Sequence, residues 1–148
     1  MFHLLSRIDG KVITMDLRLL DPDRLKVLKM YAPNFHFLQE NSNLPATRDK
    51  VVELVNKELF DIVYIDGSHT YGAVKKDTEL YAPLIKPNGY IIWHDYFVVG
   101  ENFNKPEGKF KGINEYITEL IERGVPVQKF FEDGSCLAYI KGSEWLSV

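Results

Sequence analysis

Three apolar runs in this chain each end on groups that can do chemistry. Lys11-Val12-Ile13-Thr14-Met15 leads to Asp16, Phe60-Asp61-Ile62-Val63-Tyr64-Ile65 leads to Asp66 with His69 close behind, and Tyr90-Ile91-Ile92-Trp93 leads to His94-Asp95. A carboxylate placed directly after an apolar strand has a desolvation cost unless it finds a partner. One such residue can simply cap the turn that comes after it. Three at equivalent ends point to a shared site. Asp66, His94 and Asp95 together carry the donor chemistry of a divalent-metal site. Carboxylate oxygens suit magnesium, calcium or manganese, and an imidazole shifts the preference toward manganese, iron, nickel or zinc. Adjacent residues on a regular strand point to opposite faces, so His94 and Asp95 reach one ion only if the backbone turns there. His69 has two readings that the residues leave open. It is a general base, with an ordinary pKa of about 6.5, or a helix-capping or surface histidine. His3 and His36 lack such a setting and are expected to be structural or exposed. Tyr96 and Phe97 come directly after the site and are expected to form an apolar wall beside it. Lys75, Lys76 and Asp77 read as a solvated helix face, and Trp93 as core.

The elements that hold these groups can be read from patterning and punctuation. A strand is predicted over Lys11–Leu17, then a helix from Asp21-Pro22-Asp23, an N-cap with proline at the first helical position. Leu25, Leu28 and Met30 give that helix its apolar side. Phe35–Leu38 is a second strand. After the polar break Asn41-Ser42-Asn43 comes a helix carrying Val51, Val52, Leu54 and Val55, capped by Thr47 or Asp49. Phe60–Ile65 is apolar at nearly every position, which predicts a strand covered on both faces. An amphipathic helix over Gly72–Ile85, with Val74, Leu80, Tyr81 and Leu84 inward, leads to a turn at Lys86-Pro87-Asn88-Gly89 and a strand over Tyr90–Trp93. The loop Val99–Lys111 is long enough to be a lid or binding loop. A helix over Ile113–Arg123 precedes two strands, Val125–Phe131 and Ser135–Lys141, joined by a turn at Glu132-Asp133-Gly134. Strand–helix alternation closed by a hairpin predicts an α/β fold, with a mostly parallel sheet, helices on both faces and an antiparallel edge.

Composition narrows the function classes. At 148 residues with 45% hydrophobic content, one domain with a sizeable core is expected. A net charge of −3 argues against nucleic acid or an anionic membrane as partner. The aromatic residues are spread along strands and helices and make no stacking stripe. No segment reaches the about 18 apolar residues that span a bilayer. The first nine residues lack a basic start and a long apolar stretch, so no signal peptide is expected and a cytoplasmic location is the default. The single cysteine, Cys136, excludes an intrachain disulfide and reads as a buried structural thiol.

The segment Phe60-Asp61-Ile62-Val63-Tyr64-Ile65-Asp66-Gly67-Ser68-His69-Thr70-Tyr71, then Asp77, then Leu84-Ile85-Lys86-Pro87-Asn88-Gly89-Tyr90-Ile91-Ile92-Trp93-His94-Asp95-Tyr96 resembles the later half of a class I S-adenosylmethionine-dependent methyltransferase. More narrowly, it is similar to the small O-methyltransferase-like group that reads IDG-x-H-x-Y, then L-x-P-G-G, then HDY. The resemblance implies a three-layer Rossmann-like fold and a single methyltransferase-like domain. It implies that Asp16 holds the cofactor ribose, that Asn41 and Ser42 lie where adenine is held, that Asp66, His94 and Asp95 bind a divalent metal such as magnesium or manganese, and that His69 is the general base. The implied activity is methyl transfer to a hydroxyl of a small molecule. Two other roles go with the same resemblance: a non-catalytic methyltransferase-like subunit, and a hydroxylase-like enzyme using the same metal position. Glu40 and Asn88 stand where the family has glycines. Such enzymes also begin with a strand and a glycine-rich turn, and before Gly10 this chain has no glycine. That first strand and its helix are expected to be missing. The strand ending at Asp16 and the strand ending at Asp66 would then pair directly or leave a gap, and a homodimer could complete the exposed edge.

Overall fold

A computed structural model describes residues 10–31, 34–96, 111–132 and 135–147. The chain forms two compact units, residues 1–57 and 58–148. His3, Phe97, the loop as far as Phe110, the turn residues Asp133 and Gly134, and the side chain of Cys136 lie outside the described residues.

In the first unit, strands β1 (Val12–Met15) and β2 (Phe35–Leu38) pair in parallel, from Val12 opposite Phe35 to Met15 opposite Leu38. A parallel pair needs a crossover, and α1 (Pro22–Tyr31) supplies it. Asp21 caps α1 as expected: its Oδ1 accepts the backbone N–H groups of Asp23 at 2.9 Å and Arg24 at 3.2 Å. The apolar side of α1 is narrower than expected, because Met30 is 70% exposed while Leu25 and Leu28 are half-buried. Helix α2 (Pro45–Leu54) is not capped by Thr47 or Asp49. Its N-cap position is Leu44, with Pro45 at the first helical position and no side-chain cap. Proline there needs no N–H partner and already has a helical φ. Thr47 is instead buried, its hydroxyl donating to Glu40 Oε2 at 3.3 Å.

The second unit holds a four-stranded sheet in the order β3-β4-β6-β5, made of β3 (Phe60–Ile65), β4 (Ile85–His94), β5 (Gln128–Glu132) and β6 (Ser135–Lys141). Strands β3 and β4 are parallel, while β4–β6 and β6–β5 are antiparallel. The crossover is α3 (Tyr71–Tyr81) with a 3₁₀ turn at Ala82–Leu84, and α4 (Lys111–Glu122) precedes the C-terminal hairpin. Lys86–Gly89 is a register break within β4, since Phe60 faces Ile85 and Ile62 already faces Tyr90. A short helix, α5 (Gly142–Trp145), was not expected; the Glu144 carboxylate accepts the backbone N–H of Lys141 at 3.3 Å at its start. Among the described residues β1 pairs with β2 in the first unit, and β3 pairs with β4 in the second.

One face of this sheet packs the core. Ile65, Val74, Ile85, Ile91, Trp93, Ile117, Leu120, Ala138 and Ile140 are all buried there. The expectation that β3 is covered on both faces does not hold. It lies at the edge of its sheet, with Ile62 58% and Tyr64 52% exposed. Strand alternation sends these two side chains to the face opposite the core. A run that is apolar on both faces therefore reports hydrophobicity and leaves the covering layer undetermined. No helix of the described residues is long and apolar enough to cross a membrane.

A buried polar relay ties α3 to β4. Trp93 Nε1–H donates to Thr78 Oγ1 at 2.9 Å, and the Thr78 hydroxyl donates to the Val74 carbonyl at 2.8 Å. Trp93 and Thr78 are both fully buried. Thr78→Val keeps the shape of the side chain and strands the indole N–H. It is expected to lower unfolding free energy by about 1–3 kcal/mol, the cost of an unsatisfied buried donor. Urea denaturation of the variant against the parent measures this directly.

Candidate functional site

Parallel pairing in register sets the site. Ile65 lies opposite Trp93, so the next residues, Asp66 and His94, leave the sheet side by side. Asp95 then adopts φ +58°, in the left-handed region. Aspartate tolerates this conformation better than most residues because its short polar side chain bonds locally. The backbone therefore turns at Asp95, and the alternation that would have separated His94 from Asp95 is broken. His94 Nδ1 lies 3.3 Å from an oxygen of Asp66 and 3.3 Å from an oxygen of Asp95. His69 Nε2 lies 3.2 Å from Asp95 Oδ2 and 3.7 Å from Asp66 Oδ1.

Two carboxylates and two imidazoles thus converge from the ends of β3 and β4 and the loop after β3. One donor atom each from Asp66, His69 and Asp95 lie within 4.8 Å of one another, a spacing that could hold a metal ion. His94 Nδ1 is buried and makes no hydrogen bond of acceptable geometry, despite its two carboxylate neighbours. A buried nitrogen aimed at carboxylate oxygens, with no hydrogen bond of its own, fits a cation held among them. The mixed oxygen and imidazole donor set suits manganese, iron or zinc, and its carboxylates suit magnesium.

Tyr64 is a neighbour that the motif reading missed. Its ring lies 5.8 Å from that of His94. Burial, then the charges of Asp66 and Asp95, push its phenol up to about 12. The available signal was positional: Tyr64 stands two residues before Asp66 on the same strand, and its side chain emerges on the face that carries His94. Tyr96 does not form the expected wall. It is 5% exposed and belongs to the core, with the Lys129 ammonium 5.7 Å from its ring centre. Asp77 is not on a solvated face either, being 5% exposed. It belongs to the stripe Val74, Asp77, Thr78, Tyr81, whose helical spacing turns all four toward the interior. Lys76, by contrast, pairs with Glu79 at the surface at 3.8 Å.

The remaining expected residues lie in the first unit. Asp16 comes directly after β1 and is exposed, its Oδ1 accepting the Arg18 N–H at 2.8 Å. Asn41 and Ser42 come after β2, and Asn41 Oδ1 accepts the Asn43 N–H at 3.0 Å in a tight turn. Because β1 and β2 run parallel, Asp16 and Asn41-Ser42 emerge from the same end of that sheet. Glu40, which stands where the family has glycine, is engaged with Lys50 and Thr47. Lys50 holds its carboxyl below the ordinary range.

Parallel strands whose carboxyl ends carry the polar residues define an α/β protein of the class that binds ligands at that edge of the sheet. A family described as a methyltransferase domain matches residues 3–96. The chain belongs to that methyltransferase-domain family. Among solved structures it is similar to MycE, a methyltransferase from the mycinamycin biosynthetic pathway in complex with Mg and SAH, at 16% identity and TM-score 0.55, over 89% of this chain and 37% of that one. It is similar to an O-methyltransferase family protein from Burkholderia thailandensis at 11% identity and TM-score 0.57, over 95% and 54%. It is also similar to the apo structure of a TDP-rhamnose 3'-O-methyltransferase of calicheamicin biosynthesis at 12% identity and TM-score 0.65, over 95% and 64%. These likenesses establish the Rossmann-like α/β fold. The chain spans between 37% and 64% of the length of these three proteins. No curated protein matches the sequence.

Two outcomes are expected at this site. Asp95→Asn should fold as stably as the parent, whereas Asp95→Ala should lose about 1–2 kcal/mol, because alanine resists the left-handed conformation; thermal unfolding of the pair checks the difference. For Tyr64, the folded-state pKa is raised, so the phenol stays neutral in the fold after it would have ionised in the unfolded chain. Stability associated with it is complete below the unfolded value and falls as pH rises through about 12. Absorbance titration, with Tyr64→Phe subtracted, should give that late midpoint, and Asp66→Asn should bring it down.

Proposed function

We propose that this chain is the methyltransferase domain of a divalent-metal-assisted, S-adenosylmethionine-dependent O-methyltransferase acting on a small hydroxylated molecule. The observation that carries this reading is the convergence of Asp66, His69, His94 and Asp95 at the ends of β3 and β4 in a chain of this family. Asp66, His94 and Asp95 hold the metal. A divalent ion held there would lower the pKa of a substrate hydroxyl beside it. His69 takes the hydroxyl proton on Nε2, and the carboxylates beside it stabilise the imidazolium that results. Asp16 accepts hydrogen bonds from the ribose hydroxyls, and Asn41 and Ser42 contact the adenine. S-adenosylmethionine supplies the methyl group. The contribution of the protein is mainly alignment of acceptor and donor.

The spacing of His69 with the two carboxylates supports a second assignment, in which His69 is a ligand and His94 the base. Calorimetric titration with manganese separates the two. The parent should bind, and Asp66→Ala and Asp95→Ala should abolish binding; parental affinity in both variants would refute the metal site. Under the first assignment His94→Ala weakens manganese and His69→Ala leaves it within about threefold while abolishing methyl transfer. Under the second the two histidines exchange these effects. Titration with S-adenosylhomocysteine tests the cofactor. Binding in the micromolar range is expected, and no binding at millimolar ligand would leave a non-catalytic module as the role of this chain.

A further inference from the structure

We infer that Gly112, at the start of α4, is a positioning residue for His69. A Cβ placed on Gly112 would lie 2.1 Å from the Tyr71 nitrogen, 2.5 Å from the His69 carbonyl oxygen and 2.5 Å from the Thr70 carbonyl carbon. All three are backbone atoms, so no side-chain rotation relieves the overlap. The first turn of α4 therefore rests directly on the peptide groups just after His69. The same loop is tied to α4 further along. The Tyr71 hydroxyl donates to the Glu119 carboxylate, and the Tyr71 and Tyr116 rings meet edge to face at 6.0 Å. At its other end the loop rests on α3, where a Cβ on Gly67 would lie 3.3 Å from Asp77 Oδ2. The segment carrying Asp66 and His69 is thus held by close contact with two helices. A methyl group at position 112 pushes the His69–Tyr71 backbone away from α4 and carries the imidazole with it.

The inference rests on His69 being part of the site, and the test is chosen to keep the two apart. In metal-free protein the ring resonances of His69, assigned with His69→Ala, report its surroundings by NMR. Gly112→Ala is expected to shift them. Two glycines serve as controls. Gly72 has no atom within 4 Å of an added Cβ, and at Gly142 an added Cβ would meet the Lys86 carbonyl oxygen at 2.0 Å, an equally severe overlap on a different segment. Gly72→Ala and Gly142→Ala should leave the His69 resonances in place. Unshifted resonances in a folded Gly112→Ala variant would overturn the inference, as would equal shifts in Gly142→Ala, which would mark general destabilisation. If Gly112→Ala does not fold, Tyr71→Phe loosens the same loop without overlap, and it must shift the His69 resonances for the inference to stand. A parent protein that binds no manganese would refute the metal reading and leave the NMR result intact.

Discussion

The arrangement of the second unit depends on the parallel register of β3 against β4. Once Ile65 faces Trp93, both strands end at the same level, and the residues beyond them must share one volume at the edge of the sheet. Those residues are Asp66 on one strand and His94-Asp95 on the other. A register slip of one residue would reverse the faces as well as the level. A slip of β3 would send Ile65, which is buried, to the exposed side. Hydrophobic burial therefore fixes the position of the polar ends, although the buried side chains Ile65, Ile91 and Trp93 are not among the four acids and histidines of the cluster. At about 25 cal/mol per Å² of apolar surface, side chains such as Trp93 outweigh any preference the surface-exposed Asp66 could express.

The register fixes the strand ends, but the loop between β3 and α3 needs support of its own. Packing of α3 and α4 provides it. The Thr78 hydroxyl, buried between helix and sheet, accepts from the indole of Trp93 and donates to its own helix. The same helix carries Asp77 beneath Gly67, and α4 lies against the loop at Gly112. These contacts leave no room for a side chain at Gly112 and little at Gly67. A site assembled in this way is held in shape before any ligand arrives, which is the condition for alignment to contribute to rate.

Periodicity and punctuation made much of this legible. Phe35–Leu38 and Phe60–Ile65 were recoverable because turn residues bracket them, and Asp21-Pro22 announced α1 because proline at the first helical position needs no donor partner. The convergence of Asp66, His94 and Asp95 was legible from their places at strand ends. The left-handed turn at Asp95 that makes it possible could only be stated as a requirement. The misses share a cause: they depend on what lies across from a residue. Asp77 reads as surface until its neighbours Val74, Thr78 and Tyr81 are seen to face inward. Tyr96 reads as a wall until it is found in the core. Ile62 and Tyr64 read as doubly buried because an apolar side chain does not report whether a layer covers it. Gly112 carries no pattern at all, since its meaning is the backbone it touches.

The cluster sets two carboxylates beside two imidazoles. Asp66 and Asp95 both approach His69 and His94, so the carboxylates are brought toward each other as well as toward the rings. Like charges at such range repel. The raised phenol of Tyr64 reflects the same negative field, with the two carboxylates adding to the effect of burial. His94 Nδ1 is buried between the two carboxylates with no hydrogen bond of acceptable geometry. A divalent ion would offset both carboxylates at once and convert this repulsion into coordination. It would also leave one imidazole to handle a proton.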